Sequence, residues 1–390
     1  TVIPKKYIIK RQFYHIYKCA CCCSGIKTTP TLPQITPGAA YDDEMVIDIA
    51  VSKYFDLIPI ERYVKMAAQA NFPGLPANSL INQTHQLAFY LLGVYKLIKN
   101  EVQGNLLAFA DETPHRMLEG DKKKNWYLWE FSNEVACYFE CHNTRSGDIA
   151  SDFLTNSKIN FLMSDVYSGY NKAINICNKR RKELGIQLLV SLYCNAHARR
   201  KFCDAVKLEV EEANYFVLCY KKIYTLEHEM KSMNRKKRKK IRNKIRRILQ
   251  KMKKQAEKIK NNFSSKSVFG KACNYFIKNF KGLSYFTYNV DLPIDNNHAE
   301  RLLRSPVVGR KTWLGTHSKN GAETAAILFS IIQSCKLNNV NPREYLKDVI
   351  KSLHQNKKAF TPNQYAQQIL SQQKNIQQYE KLKFENRFAH

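Results

Sequence analysis

The sequence predicts an α/β protein in which helical segments precede and interrupt a sheet-forming core, and three observations lead to this prediction. Apolar residues recur at helical spacing over residues 42–98. Short apolar runs bounded by polar turns replace that spacing over residues 105–193, as is typical of strands. Helical spacing returns over residues 205–282. Helices and strands are therefore grouped along the chain, which predicts separate helical and sheet-containing parts.

Residues 1–40 are predicted to form a small cysteine module followed by an extended linker. Four cysteines stand close together at Cys19, Cys21, Cys22 and Cys23, and prolines follow them. The remaining cysteines are scattered singly, which is not the spacing of a secreted disulfide scaffold and favours a reducing cytoplasm. The chain starts at Thr1, and we expect the natural N-terminus to lie further upstream.

Residues 41–104 are predicted to form a helical DNA-binding domain. Its predicted helices cover residues 42–55, 59–70 and about 79–98. Residues 71–76 interrupt the helical pattern, after which Asn78 or Ser79 can cap the third helix. Two helices joined by a turn indicate a helix-turn-helix arrangement. Ordinary helical packing is an equal alternative, because the motif has no unique sequence signature.

Five strands and two helices are predicted in the middle of the chain. The strands cover residues 106–110, 126–131, 135–141, 159–164 and 186–193, and the helices cover 147–154 and a segment from about residue 170. Three strands that can form a meander, then helix, strand, helix and strand, is the order of the ribonuclease H-like α/β fold. This likeness of architecture does not establish an activity. The predicted parts are a core over 105–204 and 289–345, a helical insertion over 205–288 and a helical tail over 346–390.

The charge of the chain indicates a polyanionic partner. Lys and Arg number 63 against 33 Asp and Glu, a formal charge of +30, and nucleic acid is the commonest partner of such a protein. Aromatic residues make up 12% of the chain, which argues against a histone-like tail. The longest apolar runs, such as 325–332, fall short of the roughly 20 residues that span a bilayer, so we expect no membrane partner.

Half of the excess charge lies in residues 231–260, which contain 16 Lys or Arg and one acid, Glu257. One helix with an apolar stripe is predicted there. The stripe comprises Ile241, Ile245, Ile248, Met252, Ala256 and Ile259. The other side is almost purely cationic and is expected to contact the DNA backbone, with a merely solvated face as the alternative. The lysines predicted to contact DNA are Lys236, Lys237, Lys239 and Lys240.

Three acidic residues are candidates for a metal site. Asp111 and Asp165 are each expected at the end of an apolar strand, where a side chain leaves the core. Glu300 follows Asn297 at the start of a predicted helix. Mg²⁺ prefers oxygen ligands, so carboxylates together with a substrate phosphate form the expected site. Spacing alone leaves two alternatives open, because strand-end aspartates often cap turns and Asn297-x-x-Glu300 matches a helix capping box.

Six segments of the chain carry a motif pattern. They cover residues 110–113, 164–170, 194–200, 295–304, 308–313 and 315–324. In this order they resemble the insertion-sequence family sixty-six of bacterial transposases, and the last three form a long and specific C-terminal signature. In that family the first Asp of each Asp motif and the Glu before Arg are the acidic triad. The resemblance therefore implies that Asp111, Asp165 and Glu300 are catalytic.

The resemblance also implies a reaction and its partners. It implies a transposase that binds transposon ends and target DNA, hydrolyses phosphodiester bonds and transfers strands, using two Mg²⁺ or Mn²⁺ ions held by the triad. Basic residues near the acids are expected to hold phosphates, with charge balancing as the alternative. These residues are Arg199, Arg200, Arg301, Arg304, Arg310 and Lys311. Trp313 is expected either to stack on an exposed base or, equally, to anchor its loop.

Further expectations concern assembly and rival functions. A homo-oligomer on DNA, accessory proteins of the element and a location at the nucleoid of the bacterial cytoplasm are expected. One rival is a nuclease of the same fold that cuts without joining. The other is a degenerate transposase that only binds DNA.

Two positions beside the expected active site depart from the family pattern. Asn195 stands where the family usually has an aromatic residue, and Thr312 stands where it usually has Asn. Neither is an expected ligand, so the departures bear on the efficiency of the site more than on its function.

The cysteine motifs also differ from the family pattern. The family's N-terminal module has two Cys-x-x-Cys pairs, and only Cys19-x-x-Cys22 is present here. Structural zinc normally has four ligands, so we predict that Cys19 and Cys22 belong to an incomplete zinc site, and spare thiols are the preferred interpretation. Cys194-x-x-His197 has metal-like spacing too, but a core cysteine and a polar histidine are the preferred interpretation.

Overall fold

The computed structural model describes residues 5–18, 25–118, 125–208 and 210–373. Cys19 and Cys22, the predicted incomplete zinc site, lie outside these residues. The described chain is mixed α/β, mostly helical, with a five-stranded mixed sheet, so the predicted α/β class is confirmed. It divides into two compact units. One contains the described residues of 1–98, 115–124 and 305–390, and the other contains those of 99–114 and 125–304.

The elements have the following bounds. The strands are β1 (Ile16–Lys18), β2 (Ile26–Thr28), β3 (Leu107–Arg116), β4 (Asn125–Ser132), β5 (Cys137–His142), β6 (Phe161–Ser164) and β7 (Val190–Tyr193). The helices are α1 (Asp43–Tyr54), α2 (Ile60–Gln69), α3 (Ala77–Tyr90), α4 (Leu92–Gln103), α5 (Gly147–Thr155), α6 (Ser168–Glu183), α7 (Asn195–Val206), α8 (Glu211–Glu229), α9 (Arg235–Ile259), α10 (Val268–Lys278), α11 (Phe280–Ser284), α12 (Asn297–Trp313), α13 (Lys319–Leu337) and α14 (Pro342–His354). Residues 362–373 are also helical. None of the helices among the described residues is long and apolar enough to cross a membrane.

In the first unit, α1 packs against α2, α3, α13 and α14. Asp42 caps α1, because its side chain accepts the backbone N–H of Met45. The predicted helices over 42–55 and 59–70 are confirmed as α1 and α2 to within about one residue at each end. Apolar side chains of the packed helices, such as Ile49 of α1 and Leu80 of α3, are fully buried. Their burial stabilises the unit by removing apolar surface from water.

The third predicted helix is in fact two helices, α3 and α4. The helix begins at Ala77, and the expected cap at Asn78 or Ser79 is wrong. Pro76 precedes the helix in an extended conformation and sets the boundary without a side-chain cap. Leu91 separates α3 from α4. Gly93 follows in the first turn of α4, and its high conformational entropy disfavours one continuous helix across this point.

The sheet of the second unit has the order β5-β4-β3-β6-β7. β4 pairs antiparallel with β5, whereas β6 pairs parallel with β3 and with β7. All five predicted strands and the helix over 147–154 are confirmed, with different bounds. The largest differences are in β3, which continues past Asp111 to Arg116, and in β7, which begins at Val190 rather than at residue 186. β3 continues because β4, twice the length of β6, borders it on the other side.

Helices α7 to α10 pack together beside the sheet around a second apolar core. The predicted apolar stripe of α9 is confirmed: Ile245, Met252, Ala256 and Ile259 are buried, and Ile241 and Ile248 pack partly buried against the same core. Leu249 was missed and is also buried. The helix is shorter than the predicted 231–260, because Asn234 caps it by accepting the backbone N–H of Lys237 at 3.0 Å.

Candidate active site

Asp111 and Asp165 occupy matched positions on two adjacent parallel strands. The register of β3 and β6 pairs Phe109 with Met163. Asp111 lies as far beyond Phe109 as Asp165 lies beyond Met163, so the register sets the two acids side by side just past the end of β6. Matched residues of parallel strands point to the same face of the sheet, on strands about 4.8 Å apart. Asp165 lies one residue past the end of β6, and its charge contributes to the raised pKa of Asp111, so the two carboxylates lie near each other.

The same row continues to the end of β7. Ser164 pairs with Tyr193 in the register of β6 and β7, so Asp165 is followed across the sheet by Cys194. The backbone N–H of Cys194 donates to the carbonyl of Ser164 at 3.0 Å, which keeps the register at this position. We call Asp111, Asp165 and Cys194 the sheet row.

Asn296 fastens the start of α12 to the sheet row. Its Nδ2 donates to the carbonyl of Ala110 at 3.0 Å, and its backbone N–H donates to Sγ of Cys194 at 3.2 Å. These contacts lie on the two sides of Asp165, because β6 lies between β3 and β7. Glu300 follows one helical turn later, with its backbone N–H bonded to the Asn296 carbonyl at 3.2 Å. Asn296 therefore determines the place from which Glu300 projects.

Asp111 lies in an environment that disfavours a negative charge. Burial raises the pKa of Asp111 to about 8, and the charges of Glu112, Asp165 and Glu300 act in the same direction. The backbone N–H of Glu112 donates to Asp111 Oδ1 at 2.9 Å and partly opposes this rise. Like carboxylates that face one another are stabilised by a shared cation. The electrostatics of Asp111 therefore match a position that binds positive charge.

The metal-free protein is expected to lose stability as the pH rises, because of Asp111. Its pKa of about 8 in the folded state lies above the roughly 3.9 of an unfolded aspartate, so the folded state binds this proton more tightly. The resulting stability is fully present below about pH 4 and is lost as the pH rises towards about 8. Urea unfolding in EDTA should show this decline, and Asp111→Asn should show a smaller one. Equal pH profiles for the two proteins would contradict the prediction.

Glu112, the neighbour of Asp111, is held by other side chains. Alternation along β3 points it away from Asp111. Tyr170 donates to Glu112 Oε2 at 2.5 Å, and Arg145 donates to Oε1 through Nε at 2.7 Å. The guanidinium of Arg145 also stacks on the ring of Tyr167 at 3.9 Å. Sequence reasoning missed this cluster, because Arg145 lies outside the motif that contains Glu112.

Asn297 has a hydrogen-bond partner other than Glu300. In the capping-box alternative, Glu300 would accept the backbone N–H of Asn297. That N–H donates instead to Oδ1 of Asp295 at 3.2 Å. Oε1 of Glu300 is buried and has no hydrogen-bond partner among the described residues. The carboxylate of Glu300 thus keeps an oxygen for another ligand.

Cys194 and His197 meet Glu300 beside the sheet row. The ligand atoms of the three residues all lie within 4.8 Å of one another. Nδ1 of His197 is 3.7 Å from Oε1 of Glu300, which is too long for a hydrogen bond. Cys194 is buried, as its interpretation as a core cysteine predicted, and burial raises the pKa of its thiol to about 11. The contact with Glu300 was not predicted, because Glu300 belongs to a motif far from His197 along the chain.

Three arginines of α9 hold the chain that leads to Glu300. Arg238 donates to the carbonyl of Val290, Arg242 donates to the carbonyls of Phe286 and Leu292, and Arg246 donates to the carbonyl and hydroxyl of Thr287, at 2.8 to 3.1 Å. We call Arg238, Arg242 and Arg246 the arginine ladder. The expectation of a solvent-facing cationic side is therefore wrong for these three, whereas the four predicted lysines are exposed. The difference follows from spacing: steps of four residues carry the arginines along the inner flank of the helix.

Asn195 is fully buried and has hydrogen bonds that an aromatic side chain could not make. Its Nδ2 donates to the carbonyls of Leu283 and Ile294 at 2.9 and 3.0 Å. Tyr220 donates to its Oδ1 at 3.3 Å. This departure from the family pattern thus connects the start of α7 to the segment that enters α12, and it is compatible with an ordered site.

The other predicted contacts lie on two helices. Arg199 and Arg200 are exposed on α7, and Arg301 and Arg304 are exposed on α12. Arg310 and Lys311 lie in the last turn of α12. Trp313 packs edge-on against Tyr54 at 6.3 Å, with Nζ of Lys53 5.3 Å from its ring. Whether these side chains contact DNA stays a prediction.

The donor set of the three acids fits Mg²⁺ or Mn²⁺. Both ions prefer oxygen ligands, and carboxylates are the usual protein contribution. In the part of the chain that the structure describes, no Lys or Arg side chain is paired at ion-pair distance with Asp111, Asp165 or Glu300. Oε1 of Glu300 has no hydrogen-bond partner among the described residues, and the pKa of Asp111 is raised. Both observations indicate that a positive charge would stabilise these carboxylates. These residues could therefore hold divalent ions.

Comparison with known proteins relates most of the chain to one protein family. A model of the Transposase IS66 family matches residues 38–324, and a model of the IS66 C-terminal element matches residues 330–367. Three relatives from Sinorhizobium fredii (strain NBRC 101917 / NGR234) are the uncharacterized proteins y4jD, y4hP and y4qI, which are 26, 23 and 26% identical to this chain. The matches cover 90, 89 and 80% of this chain and 70, 66 and 60% of the relatives. The chain thus spans roughly two thirds of the length of these curated relatives.

Proposed function

The chain belongs to the Transposase IS66 family, and from this membership we propose that it is a DNA transposase that cuts at the ends of its element and joins those ends to target DNA. Asp111, Asp165 and Glu300 are the proposed catalytic acids. The observation that carries the proposal is the convergence of the three. The strand register aligns Asp111 with Asp165, and Asn296 attaches the helix of Glu300 to the same row.

The proposed fold of the catalytic part is ribonuclease H-like, with a basic helical insertion between β7 and α12. The strand order β5-β4-β3-β6-β7 supports it, since a hairpin is extended by two parallel strands with intervening helices. Active-site groups of such sheets come from strand ends. Cys194 and Asp165 directly follow their strands, which supports a site at this edge.

In the proposed mechanism the protein contributes ligands, orientation and positive charge. Two bound Mg²⁺ ions would supply the positive charge that activates the attacking oxygen and stabilises the leaving oxygen. Asp111, Asp165 and Glu300 would hold those ions at fixed positions, because their backbones are held by the sheet and by Asn296. Exposed Arg301 and Arg304, on the helix of Glu300, would neutralise phosphates next to the scissile bond. One site would serve cleavage by water and attack by a 3′-hydroxyl.

The exposed lysines of α9 are proposed to bind the DNA backbone. Lys236, Lys237, Lys239 and Lys240 are exposed, and no partner is found for them among the described residues. Each phosphate contact releases counterions and contributes about 0.9 to the slope of log affinity against log salt. Changing all four to Gln should lower the slope by up to about 3.6. Binding of a labelled duplex at several salt concentrations measures the change.

A charge-retaining variant provides the control for this experiment. Replacing the same four lysines by Arg keeps their charge and should leave the salt slope close to the parent value. An unchanged slope in the Gln variant would show that this face is merely solvated. A reduced slope in both variants would indicate loss of structure in α9 instead.

Strand transfer tests the proposed function against its rivals. With Mg²⁺ and a precleaved terminal sequence of the element, a transposase joins the 3′-hydroxyl to a target duplex. A nuclease of the same fold would cut an uncleaved end and leave the precleaved one unjoined. A degenerate, DNA-binding protein would retain both substrates in a gel shift and process neither. Joining of the precleaved end is the expected result.

A further inference from the structure

Cys194, His197 and Glu300 bring three kinds of ligand atom together. A thiol sulfur, an imidazole nitrogen and a carboxylate oxygen lie within 4.8 Å of one another. Only Glu300 belongs to the proposed triad. Cys194 ends the sheet row, and His197 lies in the first turn of α7, three residues later. The helix start thus presents its first-turn histidine next to the thiol and towards α12.

The spacing of these atoms suits ligands of one ion better than partners of each other. Nδ1 of His197 and Oε1 of Glu300 are 3.7 Å apart, and neither has a hydrogen-bond partner among the described residues. Buried polar atoms normally find a partner. A nitrogen and an oxygen ligand held at about 2.0 to 2.2 Å around a tetrahedral ion lie roughly 3.3 to 3.6 Å apart. The observed gap is therefore close to that of a coordination shell.

The surroundings of Cys194 favour a thiolate once a cation is present. The backbone N–H of Asn296 donates to its sulfur at 3.2 Å. Cys194 is the N-cap of α7, and the partial positive charge of a helix N-terminus stabilises a thiolate. A metal ion would supply the positive charge that this buried position lacks.

The chemistry of the three donors selects the ion. Sulfur and imidazole ligands suit Zn²⁺ and similar transition-metal ions, whereas Mg²⁺ prefers oxygen. Three protein ligands leave one tetrahedral position open, as in catalytic zinc sites.

We infer that Cys194, His197 and Glu300 form a three-ligand site for Zn²⁺ or a similar transition-metal dication. Glu300 is shared between this site and the proposed triad. A bound Zn²⁺ would therefore withdraw Glu300 from Mg²⁺ and inhibit the reaction. This consequence, unlike the site itself, rests on the proposed function.

Cobalt absorption tests the site directly, without DNA. Co²⁺ replaces Zn²⁺ in thiolate sites and gives a sulfur-to-metal charge-transfer band in the near ultraviolet. The parent should be the full chain carrying Cys19→Ser, Cys21→Ser, Cys22→Ser and Cys23→Ser, which removes the N-terminal thiols. We expect this parent to show the band, and the band should saturate with one thiolate-bound Co²⁺ per chain.

Single variants in this parent assign the ligands. Cys194→Ser should abolish the band, and His197→Gln and Glu300→Gln should each weaken Co²⁺ binding by at least about tenfold. Asp204→Asn, which changes a half-exposed carboxylate of α7 paired with Lys207, is the matched control, and it should bind Co²⁺ like the parent. Circular dichroism of each variant checks that it is folded. Absence of the band in the parent, its persistence in Cys194→Ser, or unchanged binding by His197→Gln would overturn the inference.

Inhibition links the site to the reaction. In a cleavage assay with Mg²⁺, half-inhibition of Cys194→Ser, normalised to its own uninhibited rate, should need more Zn²⁺ than half-inhibition of the parent. A chain that binds Co²⁺ as expected but never processes DNA would refute the proposed function and leave the site standing. A chain that joins DNA but shows no thiolate band would refute the site alone.

Discussion

Asp111→Asn, Asp165→Asn and Glu300→Gln are each expected to lower DNA cleavage and strand joining by about a thousandfold or more. Each amide keeps the size of the side chain but removes the charge that would hold a metal ion. The lost stabilisation of the transition state is on the order of 4 kcal/mol, and each 1.36 kcal/mol is a factor of ten in rate. The measurement is single-turnover cleavage and joining of a labelled terminal sequence at saturating Mg²⁺.

Binding and folding of these variants should change little. The amides remove like charges from one place, so Asp111→Asn should be at least as stable as the parent in EDTA, because burial and its neighbours disfavour its charge. Asp204→Asn provides a matched control on α7, where Asp204 pairs with exposed Lys207 at 3.3 Å and with no other side chain among the described residues. Its activity should stay near that of the parent. A Glu300→Gln variant that cleaves at a near-normal rate would rule out the triad.

Local patterns were sufficient to predict the elements of this chain. The apolar runs before Asp111 and Asp165 predicted strands, and β3 and β6 are strands that contain or immediately precede these acids. The stripe of α9 was predicted for the same reason, because a helical period in apolar residues is a short-range property. The sequence also gives the distance along the chain between the two aspartates. Only the strand register shows that they lie on neighbouring strands at matched positions.

The contacts that shape the candidate site could not be predicted in this way. Asn296 bonds to Ala110 and Cys194, which lie 186 and 102 residues before it. No periodicity carries such information, because the partners meet only when the sheet and α12 are assembled. Asn195 illustrates the same limit. Its identity looked like a defect beside the family pattern, yet its amide is fully buried and hydrogen-bonded in the structure.

Composition also misled for the basic residues of α9, because some of them are structural and others are exposed. All the cations of residues 231–260 looked equivalent in sequence, yet Arg242 is buried and lysines such as Lys244 on the same helix are exposed. Arg is the better residue for buried carbonyl and carboxylate contacts, because its planar group directs several donors at once. Lys keeps its strongly hydrated charge in water. Arg238, Arg242 and Arg246 thus serve the structure, whereas the exposed lysines are left for the proposed DNA contact.

Arg242→Met is expected to destabilise the second unit by about 3–5 kcal/mol, the usual cost of removing one partner of a buried ion pair. Arg242 pairs with Glu227 at 3.1 Å and bonds the carbonyls of Phe286 and Leu292, with only 3% of its surface exposed. Methionine fills similar space without donors. Urea unfolding followed by tryptophan fluorescence measures the loss. In a Trp313→Phe background, only Trp126 and Trp129 of the second unit report.

The pH dependence of this loss identifies its cause. Burial raises the pKa of Glu227 to about 7, although the charge of Arg242 acts in the opposite direction. Without Arg242 that pKa should rise further, so the variant must bury an unpaired carboxylate or hold a proton that the unfolded chain releases near pH 4.3. The difference in stability between parent and variant should therefore be smallest near pH 4 and grow as the pH rises through 7.

Adding Glu227→Gln should remove this growth but not the part of the loss that comes from the unbonded carbonyls. Exposed Lys244→Met should cost at most about 0.5 kcal/mol at any pH. A loss that is the same at pH 5 and pH 8 would mean that lost packing and hydrogen bonds, rather than the unpaired charge, destabilise the variant.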